Sequence, residues 1–495
     1  MTAALDYRDP LEAALSAQVS DKTLMEHVRT IGALERESGS PGEAQAFDYI
    51  ERMLKSYGIE VERREIEAYI SLPLEGRLHL PDGGTIEGLT HAFSTSVEAL
   101  EGELVDVGDG RPADYARANA AGKIALVNGL PAPGRAWAAQ QAGTLGQIFV
   151  LMDHLHNMIV TTIWGTPSPE TAWRIPAVPC LSVLGVEGQH LRALLARGPV
   201  NVRMTTRLRT GWMPIPHLIG ELVGRHEDRF LLFSGHVDSW HYGAMDNGTA
   251  NATMLEVARL LAGRRFSRAG DQSFWGAGVP SAFMSLSGLP KQDTDLSRAM
   301  ERLVGSAGFP WWWHTKDDTI DKIDPDVLAL DTKVYLASAL RWLNAPVLPL
   351  DHGRAVRGLL AELEALQAAA GARFDLAPAV DAARALVDRL DRAGGVLAGV
   401  DAGTPAAKLD AINRGLMRLS RVLVPLSYTS GDPFIHDLAL PIPPLAGLQR
   451  VRELAALDPD TDAFKFARAA LVRERNRAVH AFDTAASAAD DLLRQ

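Results

Sequence analysis

Residues 230–261, FLLFSGHVDSWHYGAMDNGTANATMLEVARLL, constrain the fold more than any other stretch of the chain. An apolar run short enough for a buried strand passes through a polar, glycine-bearing loop into a segment with Ala250, Met254, Val257 and Leu261 on one helical face. Strand, loop and helix in that order make half of a βαβ unit, so an α/β fold with an open sheet is expected. Such sheets collect ligands at the carboxyl ends of their strands. His236 and Asp238 stand at the predicted strand end, Asp246 and Asn247 at the helix start, and both groups reach that rim. An imidazole with a carboxylate suits zinc, and Asp238 is placed to hold the His236 ring in position. The same residues also read as ordinary helix caps, for Asp246 and Asn247, and as a surface histidine, for His236.

At 495 residues the chain is about three times the ~150 of one domain, so two or three cores are expected around this unit. Residues 10–57 read as helical, with Ser40 and Pro41 at a start and Gly58 at a stop, and IEVERREIEAYI then alternates like a strand. From about 76 to 207 the texture changes to short strands and tight turns, with GKIALVNG and GQIFVLM as strands and RAWAAQQAG as a short helix, which marks a separate α/β insert. HLIGELVGRHEDRFLLFSGH reads as two strands joined at GRHED, VPSAFMSL as a buried strand, and DPDVLALDTKVYLASALRWL as a helix behind Pro325. Beyond 350 the pattern is helical almost throughout, interrupted by the Pro- and Gly-rich stretch LSYTSGDPFIHDLALPIPPLAGL.

Charge narrows the partners. Lys plus Arg number 50 against 61 Asp plus Glu, and a net charge of -11 argues against a surface that tracks nucleic-acid phosphates or anionic membranes. A peptide or small-molecule substrate, or another protein, is the expected partner. The single cysteine, Cys180, lies in an apolar run and is expected to be buried and inert. No stretch resembles a signal peptide or reaches the ~18 apolar residues of a membrane span, so a cytoplasmic location is expected.

A second cluster, WWWHTKDDTIDKIDPDVL, places His314 after an aromatic run and before Asp317 and Asp318, where packing and ligation are both open to it. His154 and His156 share one face if LMDHLHNMIV is a strand, but no third ligand stands nearby, which favours a solvent-facing or hydrogen-bonded role. No Walker-type loop, serine-hydrolase elbow or CxxC pair is present.

The two clusters together carry a resemblance. Gly235, His236, Asp238, Ser239, Trp240, Gly243 and Asp246 are similar to the first metal motif of the dizinc metallopeptidases of the glutamate carboxypeptidase, transferrin receptor and aminopeptidase Y group, and His314, Thr315, Asp318 and Thr319 resemble its last. The resemblance implies a zinc-exopeptidase-like sheet core from residues 1–75 and 208–345, a protease-associated insert at 76–207, and a helical, dimerisation-like domain at 350–495. It further implies two zinc ions bridged by Asp246, with His236 on one and His314 on the other, and a cis peptide between Asp246 and Asn247; Asp238, read from its place beside the ring, is the candidate catalytic residue. Tyr428, Asp432, His436 and Asp437 lie where relatives bring recognition residues over the site.

Family members also carry a Glu-Glu pair, general base and ligand, and a strand-end Asp, and this chain contains no Glu-Glu dipeptide. The text jumps near Arg265 and Phe266 across a segment that in relatives is roughly a small domain long. Asp271, Asp293, Asp317 and Asp318 are the nearest spare carboxylates, and none follows a predicted strand in the required place. Such a loss should leave FLLFSG and VPSAFMSL without sheet partners. The expectation is therefore an exopeptidase-family chain, acting by lineage on small peptides or N-acyl amino acids, with activity lost or impaired. The alternative is a non-catalytic interaction or scaffold protein of transferrin-receptor-like type, and in either case a homodimer is open.

Overall fold

The computed structural model describes all residues except 1–6, 8, 164, 224–228, 262–273, 281–285, 305–307 and 432–441. The junction at Arg265 and Phe266, most of VPSAFMSL, and Asp271, Asp432, His436 and Asp437 lie outside the described residues. The chain divides into two compact units, one holding chiefly Met1–Ala269 and Ser285–Ala337, the other Gly270–Met284, Ser338–Asp437 and Pro441–Gln495.

The first unit opens with helices α1 (Pro10–Ser16), α2 (Asp21–Ile31) and α3 (Pro41–Ser56). Ser40 caps α3 by accepting the Glu43 N–H at 3.1 Å, and the Glu43 carboxylate reaches back to the Gly39 N–H at 2.7 Å, so two otherwise orphaned donors are met. The strands follow as β1 (Glu60–His79), β2 (Thr85–Thr90) and β3 (Val97–Gly108), then α4 (Pro112–Arg117), β4 (Ile124–Asn128), α5 (Pro133–Gln141), β5 (Gly146–Leu151), β6 (Cys180–Leu184), α6 (Gly185–Leu195) and β7 (Asn201–Glu221). All seven close into one barrel in the order β1-β2-β6-β5-β4-β3-β7. Pairing is parallel from β3 through β4 and β5 to β6 and antiparallel elsewhere.

Period-two alternation explains why the parallel strands are buried on both faces. Ile124, Leu126, Ile148, Val150, Leu181 and Val183 pack together with Leu78, Leu104 and Met204. Their neighbours Ala125, Val127, Phe149, Leu151 and Cys180 face a second cluster with Tyr115 and Ala136 from α4 and α5. The Cys180 thiol is fully buried, and burial pushes its pKa up to about 12, in line with an inert thiol.

The β1–β7 pair runs on beyond the barrel as a two-stranded ribbon, from Pro73 opposite Leu208 to Glu60 opposite Glu221, with a bulge between Pro73 and Glu75. The chain thus enters and leaves the 76–207 stretch through one continuous ladder. Residues 229–239 carry no strand, contrary to the reading of FLLFSGH as one. A strand exists only with a ladder partner, and none is present for this run among the described residues; Phe230 is 58% exposed.

A π-type turn at Ala244–Thr249 leads into α7 (Ala250–Leu261), followed by α8 (Asp295–Val304) and α9 (Pro325–Asn344). The second unit holds α10 (His352–Ala370), α11 (Ala377–Leu397), α12 (Ala406–Tyr428) and α13 (Asp462–Leu493). Their heptad-like Leu and Ala positions build its core, among them Leu359, Leu363, Leu386, Leu416, Leu419, Leu471 and Phe482. No helix among the described residues is long and apolar enough to cross a membrane.

Candidate metal centre

Helices, in place of a sheet, hold the first motif. Val237 packs against Ile31 of α2, Phe47 and Ile50 of α3 and Leu255 of α7, while Ala244 packs against Leu24, Val28, Ala252 and Leu328. The backbone between them is pinned by Arg36, a fully buried side chain. Its guanidinium donates to the carbonyls of Val237 (2.7 Å), Ile31 (2.8 Å), Tyr242 (2.5 Å) and Gly243 (3.0 Å). Burial draws the Arg36 pKa down to about 10 against the opposing pull of Asp238, Asp318 and Asp246. Gly243 has a φ of +46°, and a Cβ there would run into the Asp246 carbonyl and the Ser239 side chain, so the turn needs glycine.

His236, Asp246 and His314 converge. Asp246 Oδ1 lies 3.3 Å from His236 Nε2, and Oδ2 lies 3.0 Å from His314 Nε2. The peptide between Asp246 and Asn247 is cis. Asp238 stands behind His236: the ring Nδ1 is 3.0 Å from Asp238 Oδ1 and 2.9 Å from the Asp238 carbonyl, and Ser38 donates to the other carboxylate oxygen. His314 Nδ1 is 2.9 Å from the Asn157 carbonyl, and the Asn157 N–H donates back to the His314 carbonyl at 3.1 Å.

These contacts fix the tautomers. Carbonyl oxygens only accept, so both Nδ1 atoms carry hydrogen and both Nε2 lone pairs are directed at the same carboxylate. Two lone-pair atoms at that separation need a proton or a cation between them. Without metal the proton is taken by the imidazole: burial opposes the charge on His236, but Asp238 and Asp246 overcome it and raise its pKa to about 11. Burial likewise works against the Asp246 charge, and the two histidines still hold its pKa below the usual carboxylate range. A tetrahedral zinc with bonds of about 2.0–2.1 Å spans an N···O gap of about 3.3 Å, so the donor set fits a cation on each side of Asp246.

It fits with few ligands. Asp318, the best-placed spare carboxylate, accepts the backbone N–H groups of Met245 (2.8 Å) and Asp246 (3.0 Å), which shapes the turn instead of offering oxygens to a metal. Burial raises its pKa to about 6 in spite of those bonds. No group of three or more His, Cys, Asp or Glu side chains is arranged around one metal position among the described residues.

The remaining candidates lie elsewhere. His156 is buried with Nδ1 2.8 Å from the Trp313 carbonyl, and His154 stacks on Trp311 at 4.6 Å. Both belong to a loop after β5 and not to a strand, because β5 ends at Leu151 where its ladder with β6 ends. Tyr428 stacks on Trp275 at 4.8 Å within the second unit. Arg36, Ser38, Asn157 and Trp313 support the site without any sequence signal beyond residue type. Arginine in the polar loop ALERESGSPG reads as solvent-exposed.

Residues 217–277 match the profile of Peptidase family M28. That match covers 61 of the 495 residues. A probable lipoprotein aminopeptidase, LpqL, of Mycobacterium tuberculosis is 27% identical over 53% of this chain and 54% of its own length. A probable glutamate carboxypeptidase, VP8, of Zea mays is 25% identical over 47% of this chain and 42% of its own. The chain therefore spans about half the length of the curated relatives it matches. Among solved structures, a peptidase M28 precursor from Shewanella amazonensis SB2B is 17% identical, covers 68% of this chain and 97% of its own, and superposes with a TM-score of 0.51, a likeness of fold alone.

Proposed function

We propose that this chain is a zinc exopeptidase of the M28 family by lineage, directed at small peptides or N-acyl amino acids, whose hydrolytic step is lost or strongly impaired. The observation that carries the reading is the Asp246 carboxylate with one oxygen toward the Nε2 of each of two imidazoles and, among the described residues, no group of three or more His, Cys, Asp or Glu side chains around one metal position. His236, Asp246 and His314 would hold the metal, giving each zinc two protein ligands where three or more are usual. Bound zinc would polarise a peptide carbonyl and acidify water. His236 is oriented by Asp238, and His314 by Asn157. Among the described residues, no glutamate touches Asp246 or either imidazole to take the proton from water and pass it to the leaving amine.

Under the same reading the 76–207 stretch is a protease-associated insert and the helices of the second unit resemble a transferrin-receptor-like dimerisation domain. Its homodimer is checked by light scattering. The incomplete ligand set also favours the scaffold reading, in which the histidines are remnants.

The test is zinc titration and peptide hydrolysis by the purified chain beside His236→Ala. Weak zinc binding that depends on His236, with hydrolysis no faster than in the variant, is expected. Zinc-dependent turnover that vanishes on the substitution would refute the impairment. Sequencing the gene across codons 264–271, with the intact mass of the protein, decides whether the junction at Arg265 and Phe266 is genuine.

A further inference from the structure

The Asp246 carboxylate has a third neighbour. The Trp313 indole N–H donates to Oδ2 at 2.8 Å, the same oxygen that lies 3.0 Å from His314 Nε2. The indole face also stacks on the His314 ring, with centroids 3.6 Å apart and planes 18° from parallel. Trp313 itself has little freedom. It is 9% exposed, meets Phe309 edge-on at 5.4 Å, and is clustered with Leu296 and Met300 of α8 and with the buried side chains of β4 and β5.

An aspartate carboxylate turns readily about its last torsion, which is broad and roughly two-fold. Asp318 holds the Asp246 backbone N–H, which leaves that side-chain torsion free. Among the described residues, the indole is the one uncharged donor on the carboxylate. A single fixed N–H on Oδ2 decides which oxygen faces which imidazole, and the stacked ring stops His314 from swinging away. Orienting partners of this kind are typically worth 10- to 100-fold in metal affinity.

We propose that Trp313 is a positioning residue of the metal centre, fixing the Asp246 carboxylate through its indole N–H and the His314 ring through its face. The proposal rests on the reading of His236, Asp246 and His314 as a zinc site. Trp313→Phe keeps an aromatic face and removes the N–H. Phe309→Leu loosens the packing of the same indole and leaves the N–H in place.

Zinc chloride is titrated against a chromophoric chelator for wild type, His236→Ala, Trp313→Phe and Phe309→Leu in the full chain, with thermal midpoints measured in chelator. Trp313→Phe is expected to weaken zinc binding about 10- to 100-fold, with a metal-free midpoint within about 4 °C of wild type, as the loss of one hydrogen bond implies. Phe309→Leu is expected to lower the midpoint and leave zinc affinity within about fivefold. A change of less than about fivefold in Trp313→Phe overturns the proposal and leaves the zinc site standing. Equal weakening in both variants also overturns it, by making the role one of packing. Wild type that binds zinc no better than His236→Ala removes the zinc reading and this proposal with it.

Discussion

Replacing Arg36 by methionine should destabilise the scaffold of the candidate metal centre while leaving every candidate ligand in the sequence. The guanidinium is fully buried and makes four bonds of 2.5–3.0 Å to backbone carbonyls, three of them between Val237 and Gly243. Ile31 and Gly243 keep the N–H groups of Leu34 and Gly248 as donors, so methionine orphans three carbonyls, those of Val237, Tyr242 and Leu34, the last 3.3 Å from the guanidinium. At about 1–3 kcal/mol each, that is roughly 6 kcal/mol. Against this stands the penalty of burying the charge, which draws the pKa from 12.5 to about 10 and is worth roughly 3 kcal/mol. The difference is a destabilisation of about 3 kcal/mol, or about 4 °C in the midpoint of a unit of this size at about 2.1 cal/mol/K of unfolding entropy per residue. Arg36→Lys keeps the charge but offers three donors from one point and cannot span carbonyls from Ile31 to Gly243, so it should fall between. Scanning calorimetry of the full chain in chelator measures both. A midpoint shift under about 2 °C for Arg36→Met would show that the segment is held by the packing of Val237 and Ala244 alone.

Gly243→Ala should cost about 1–3 kcal/mol from its left-handed backbone, plus the clash with the Asp246 carbonyl, and should weaken zinc binding; an unchanged midpoint and zinc affinity would contradict the turn described here. Burial holds the pKa of His352, whose Nε2 lies 2.9 Å from Ser420 Oγ, at about 4, and that of His156 also at about 4. The unfolded chain takes up these protons near pH 6.5, so the stability each contributes is fully present above that pH and is lost as pH falls toward 4, by up to about 3 kcal/mol per group. Urea midpoints should therefore drop steeply between pH 6.5 and 4.5, and His352→Gln should flatten the drop for the second unit; an unaltered slope would show that this histidine titrates normally.

Legibility followed the reach of the interactions. The helices around Ser40 and beyond Pro325, the alternating β1, and the buried β4 and β5 depend on period and caps within a few residues, and the chain spells these out. FLLFSGH has the composition of a strand yet forms none, because a strand is defined by its neighbour and composition carries no information about whether one exists. For the same reason LMDHLHNMIV ends its ladder at Leu151 and the histidines beyond it turn into a loop.

By itself the sequence determined the candidate ligand types, since His236, Asp246 and His314 sit in motifs whose spacing and flanking turns are local, and it determined that no Glu-Glu pair is present. Tertiary structure alone decided how residues separated by up to 78 positions are brought to one carboxylate, through Arg36 from the α2–α3 loop, Asn157 from the loop after β5 and the indole of Trp313. Their roles arise from directional hydrogen bonds closed across long loops, and such bonds exist only once the elements that carry them have packed.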